Sequence, residues 1–145
     1  MIARMRRLLS IGPSGVALLC GALVTLLRIR ILLWVMPWNR IMAAAVGTLD
    51  VQSDRPAVNR LEWAVRAASR FVPQATCLTQ ALALQRLLAR SGYHSSVQIG
   101  VRLADGRFAA HAWVEHETQS LLSNAGEVMQ YVRFFSCPPS QPDLP

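Results

Sequence analysis

Thr76-Cys-Leu-Thr-Gln-Ala-Leu-Ala-Leu-Gln-Arg-Leu-Leu-Ala-Arg-Ser-Gly92 is the stretch that decides the fold. Leu78, Ala81, Leu82, Leu84, Leu87 and Leu88 recur at helical spacing and cover much of the circumference, which predicts a largely buried helix over residues 77–91. Thr76 is a good N-cap, and Gly92 is the usual stop. Cys77 therefore opens the helix. A thiol in that position meets the positive end of the helix, a setting that favours thiolate nucleophiles. Cys20, in an apolar run, and Cys137, in a proline-rich tail, have no such setting.

Downstream, the period changes from helix to strand. Val97, Ile99, Val101 and Leu103 alternate with Gln98, Gly100 and Arg102. Asp105-Gly106 then predicts a two-residue hairpin turn into a second strand, Arg107 to Glu115. On that strand Phe108, Ala110, Ala112 and Val114 share one face, and His111, Trp113 and Glu115 share the other. A third strand is expected near residues 119–123. Upstream, Val58, Leu61, Val65, Ala68 and Val72 line one face of a helix over 57–72, ended by Pro73.

The chemistry in this chain is carried by Cys77 and His111. A strand histidine can take a thiol proton and later return it to a leaving amine. The pair points to acyl transfer, most simply amide hydrolysis. The backbone N–H of Cys77 is the natural oxyanion donor, because helix-start amides are unpaired. Gln74 is a second candidate donor, and Trp113 is placed to shield the pair. His94 lies in a loop and His116 points to the opposite face from His111.

Composition narrows the remaining options. The 145 residues fit one domain with room for an appendage. The net charge of +7 is uneven: residues 1–49 carry six arginines and no acid, whereas the rest carries nine arginines against eight acids. Without basic residues interleaved with aromatics around the Cys and His, nucleic-acid binding is not expected. Three widely spaced cysteines form neither a disulfide framework nor a zinc site, so a reducing cytosol and no metal are expected.

Leu8 to Leu27 is a run of twenty residues without charge, interrupted by Ser10-Ile-Gly-Pro-Ser-Gly15. Its stronger stretch, Val16 to Leu27, ends at Arg28-Ile-Arg30, and a second apolar stretch, Ile31 to Trp38, follows. Helices packed on the domain, a membrane-surface or spanning segment, and a secretory signal with Ala43-Ala-Ala45 as cleavage site all fit this pattern. Arg28 and Arg30 argue against the signal. Val46 to Pro56 reads as a linker.

The block 76–92, with Gln98-Ile-Gly-Val101 and Phe108-Ala-Ala-His-Ala-Trp-Val-Glu115, resembles the lasso-peptide leader peptidases, the McjB-type processing proteins with a transglutaminase-like, papain-related core. The likeness covers about residues 57–135, and Leu33-Trp-Val-Met-Pro-Trp38 is similar in character to that family's leading region. It implies a cysteine peptidase that removes the leader from a ribosomally made precursor peptide, with Cys77 as nucleophile and His111 as general acid/base. It also implies an asparagine-synthetase-like cyclase as a later partner. Residues 1–56 do not match the winged-helix leader-recognition module, so a split form with a separate leader-recognition protein is expected. Where the family often places an Asp about a dozen residues after the His, this chain has Ser123 and Asn124. Asn can hold an imidazole tautomer, which makes Asn124 the expected third member, with Ser123 or Glu127 as alternatives.

The sequence thus predicts an α+β fold, with helices on a small antiparallel sheet. Residues 1–46 form an apolar, Arg-flanked helical segment, 47–56 a linker, 57–135 the peptidase core and 136–145 an irregular tail. No cofactor is expected. The location is expected to be cytoplasmic, with the N-terminal segment able to touch a membrane surface. Deamidation or crosslinking on the same core, or a non-catalytic peptide-binding scaffold, are the alternative functions.

Overall fold

Pro13 opens the first helix of the computed structural model, which describes residues 12–37, 40, 56–104 and 106–137. Proline suits the first turn, where its missing N–H leaves no bond unmade. Helix α1 runs Pro13–Val35 without a break. The two apolar stretches on either side of Arg28-Ile-Arg30 thus form one helix: Arg28 lies exposed, and Arg30 reaches out to the Gln74 side chain, so neither charge needs burial. Ala22, Leu26 and Ile29 bury the inner face.

Helix α2, Val58–Ser69, buries Leu61, Ala64, Val65 and Ala68. It ends a turn before the expected residue 72. Phe71 N–H donates to the Ala68 carbonyl and Val72 N–H to that of Ser69, tightening the chain ahead of Pro73. A residue before proline is driven out of the helical region, so the helix unwinds early. Val72 still reaches the core.

Helix α3, Cys77–Arg90, forms as expected, with Thr76 as N-cap in extended backbone. The Thr76 hydroxyl accepts from the Thr79 amide at 3.4 Å. Ala81, Leu82, Leu84 and Leu88 are fully buried, each leucine contributing about 1.5–3 kcal/mol of transfer free energy. Thr76→Ala should cost about 1 kcal/mol. Urea unfolding checks it: a midpoint equal to wild type would show that the hydroxyl does not cap.

Four strands follow, paired antiparallel in the order β3-β2-β1-β4. They are β1 (Ser96–Ala104), β2 (Arg107–His116), β3 (Gln119–Leu121) and β4 (Val132–Cys137). Ala104 pairs with Arg107, so the hairpin closes in two residues, and Gly106 takes the positive φ of 73° that such a turn requires. Strand β4 and the short helix α4 (Ala125–Val128) were not foreseen, and Cys137 ends a strand instead of starting irregular chain.

The three long helices pack on one another, and α3 packs on β2 and β1. The core they enclose takes Val97, Ala112, Val114 and Leu121 from the sheet. Because β3 and β4 occupy opposite edges, residues 122–131 must cross the sheet. At the end of this segment Tyr131 lies against His111 and Trp113, on the face away from the helices. The α+β class holds. The linker over 46–55 and the tail beyond 137 lie outside the described residues.

Candidate functional site

Cys77 is the first residue of α3, half-buried against the core shared by helices and sheet. The turn that delivers it is braced from three directions. Gln74 adopts a left-handed backbone at φ 56°, an uncommon setting for a non-glycine residue. Its side-chain carbonyl accepts from the Arg30 guanidinium of α1. One turn along, the Gln80 amide donates back to the Ala75 carbonyl at 3.0 Å, and Thr76 and Thr79 hydroxyls share a 3.1 Å bond. The amides of Cys77 and Leu78 have no acceptor among the described residues, leaving both free for an oxyanion. Gln74, the other expected donor, is occupied through its carbonyl by Arg30.

His111 lies mid-way along β2 on the crossover face. Its ring stacks on Trp113, with centroids 6.2 Å apart and planes at 20°, and tilts against Tyr131 at 5.5 Å. The Nε2 atom is buried and makes no hydrogen bond among the described residues. A buried polar atom left that way costs about 1–3 kcal/mol, so this nitrogen is an open position for a partner or a proton. No hydrogen bond joins His111 to Cys77 among the described residues. Cys77 packs against the core shared by the helices and the sheet, and the His111 ring is held by Trp113 and Tyr131.

Asn124 is exposed. Its backbone carbonyl accepts from Glu127 and Val128, so the residue starts α4. The buried Ser123 hydroxyl donates to the Glu127 carboxylate at 3.1 Å. These three expected partners of the imidazole thus engage one another locally, and none hydrogen-bonds His111 among the described residues. His116 is fixed elsewhere, its Nδ1 2.6 Å from the His94 carbonyl.

The residues missed in the sequence are those around the imidazole. Arg102 stacks over Tyr131 at 5.0 Å and donates to the Gln130 side chain at 2.6 Å. Arg133 pairs with Glu115 at 2.7 Å, and the same carboxylate accepts from the Trp113 indole at 3.4 Å. The run Tyr131-Val-Arg-Phe-Phe135 was the available signal, being rich in aromatic and β-branched residues. Among the described residues no three His, Cys, Asp or Glu side chains gather as a metal site would require.

Gly100 explains how the aromatic cluster closes. It sits opposite His111 on β1, and a Cβ there would stand 2.7 Å from the Tyr131 Cβ and 2.9 Å from the Trp113 Cη2. Both rings are immobilised by packing, so the clash has no cheap relief. Gly100→Ala should cost about 1–3 kcal/mol, read by thermal unfolding. An unshifted melting temperature would mean that Tyr131 is not seated on the strand.

The sequence of this chain matches the profile of the transglutaminase-like superfamily over residues 23–136. No curated protein and no solved structure gave a match. The match takes in most of α1, both later long helices and nearly all of the sheet, with Cys77 and His111 inside it. This chain, with a helix-opening cysteine beside an antiparallel sheet, belongs to the transglutaminase-like superfamily.

Proposed function

We propose that this protein is a cysteine peptidase that removes the leader from a ribosomally made lasso-peptide precursor. The observation that carries the reading is Cys77 as first residue of a capped helix, with two unpaired amides, inside a transglutaminase-like domain. His111 takes the proton of the Cys77 thiol, the thiolate attacks the scissile carbonyl, and the developing oxyanion is met by the helix-start amides. Collapse of the tetrahedral intermediate expels the core peptide's amine, which takes its proton from His111, and leaves a leader thioester on Cys77. Water, deprotonated by His111, then attacks the thioester and releases the leader acid and the thiol. Asn124 is proposed as the group that orients the imidazole once substrate is bound, since catalytic hydrogen bonds often tighten only in the complex.

The leader is held by a separate recognition protein, and the freed amine is the nucleophile that an asparagine-synthetase-like cyclase then joins to an acidic side chain. These partners follow from the likeness of residues 76–115 to the leader peptidases. One observation favours the scaffold reading instead: the absence of a hydrogen bond between Cys77 and His111. The product separates the possibilities. Incubated with the recognition protein and precursor, the peptidase splits the peptide into leader and core masses. Deamidation would add about one dalton and crosslinking would lose ammonia, and either result would replace the peptidase with another thiol acyl transferase. An unchanged peptide, with leader binding demonstrated, would support a scaffold.

A further inference from the structure

Helix α1 has two apolar faces, and among the described residues the domain packs on one of them. Ala22, Leu26 and Ile29 pack inward, while Val24, Leu27, Ile31, Trp34 and Val35 point outward, Ile31 at 62% and Trp34 at 79% exposure. Arg28 and Arg30 stand beside this outer ridge. From Val16 to Val35 the ridge extends about 29 Å, at the helical rise per residue. An uncovered stripe of that length is an interaction surface.

Three features identify what covers it. The helix is 23 residues long with a mean hydropathy of 2.2 over its most apolar window, within the range of bilayer-inserted segments. Its inner face is committed to α2 and α3, so it cannot cross a bilayer freely and must lie along one. Charge decides the sign of the surface: residues 1–49 carry six arginines and no acid. Arg30, stacked over Trp34 at 5.5 Å, presents the cation and indole combination that settles at a headgroup boundary. A second copy fits poorly. One helix width by that length gives roughly 300 Å² per protomer, against about 800 Å² for a standard interface, and it would bring Arg28 near its own copy.

We propose that α1 seats the protein on an anionic lipid bilayer surface, with Val24, Leu27, Ile31 and Trp34 in the acyl boundary and the arginines among the headgroups. Leu27, Ile31 and Trp34 border Pro73 and Gln74, so the seated face adjoins the turn that carries Cys77. The proposal stands apart from the peptidase reading, because binding is measured without substrate. The test is co-sedimentation of the full chain with phosphatidylcholine vesicles, with and without phosphatidylglycerol. Binding is expected only with the anionic lipid, weakening as salt is raised. Ile31→Glu and Val24→Glu should each weaken it about tenfold or more, and Arg28→Gln about fivefold, with melting curves matching wild type. Equal binding to neutral vesicles, unchanged binding by both Glu variants, or a dimer that the Glu variants dissolve without any vesicle binding would each overturn the proposal.

Discussion

Cys77→Ala is expected to lower the rate of leader release by about 10⁴-fold or more, the scale on which loss of a covalent nucleophile is felt. The attack has no substitute on the helix start, since the neighbours Thr76 and Thr79 bond each other through their hydroxyls. Stability should change little, because the side chain is small and only half-buried. Single-turnover cleavage followed by mass, with circular dichroism as the folding control, gives both readings. Release by the alanine variant at the wild-type rate would remove Cys77 from the mechanism. His111→Gln sharpens the result. As the general acid/base it should cost about 10²–10⁴-fold in rate. If the imidazole serves only to pack between Trp113 and Tyr131, the same variant would leave the rate near wild type and show its effect in the melting temperature alone.

Which parts of this architecture can be read in the chain depends on how local their causes are. Helix α3 and the β1–β2 hairpin were legible because cap, period and turn lie within a few residues of each other: Thr76 with Thr79, Asp105-Gly106 between two alternating runs. Helix α1 was legible as an apolar helical segment, but the way it carries Arg30 was not, because the partner of that guanidinium, Gln74, lies on a distant turn. Strand β4 was missed because its register shifts between Ile99 and Gly100, which breaks the alternation that a strand would print on its sequence. The site divides along the same line. Cys77 is marked by its own cap, whereas the setting of His111 is made by Tyr131, which arrives only after the chain has crossed the sheet. A crossover leaves no periodic trace, so the aromatic partner of the imidazole could not be placed from spacing.

That crossover face should be the more fragile half of the molecule, and Trp113→Ala measures it. The indole is fully buried, yet it belongs to the aromatic cluster with His111 and Tyr131 and not to the core under the helices. Removing it takes away the stack on His111, the contact with Tyr131 and the hydrogen bond to Glu115 together. The loss should be about 3–5 kcal/mol, as for other large-to-small changes in a filled site. Against a total stability of roughly 5–15 kcal/mol, that brings the domain close to unfolding at moderate temperature. Urea unfolding gives the value directly, and a loss below about 1 kcal/mol would mean that the crossover does not seat on the sheet. Gly100 supplies the internal control. A methyl at residue 100 clashes with the Trp113 ring, so Gly100→Ala should cost less in a Trp113→Ala background than in wild type. A coupling of about 0.5–3 kcal/mol is expected for such contacting residues. Strict additivity would place the two side chains out of contact, and with them the support that holds the His111 imidazole.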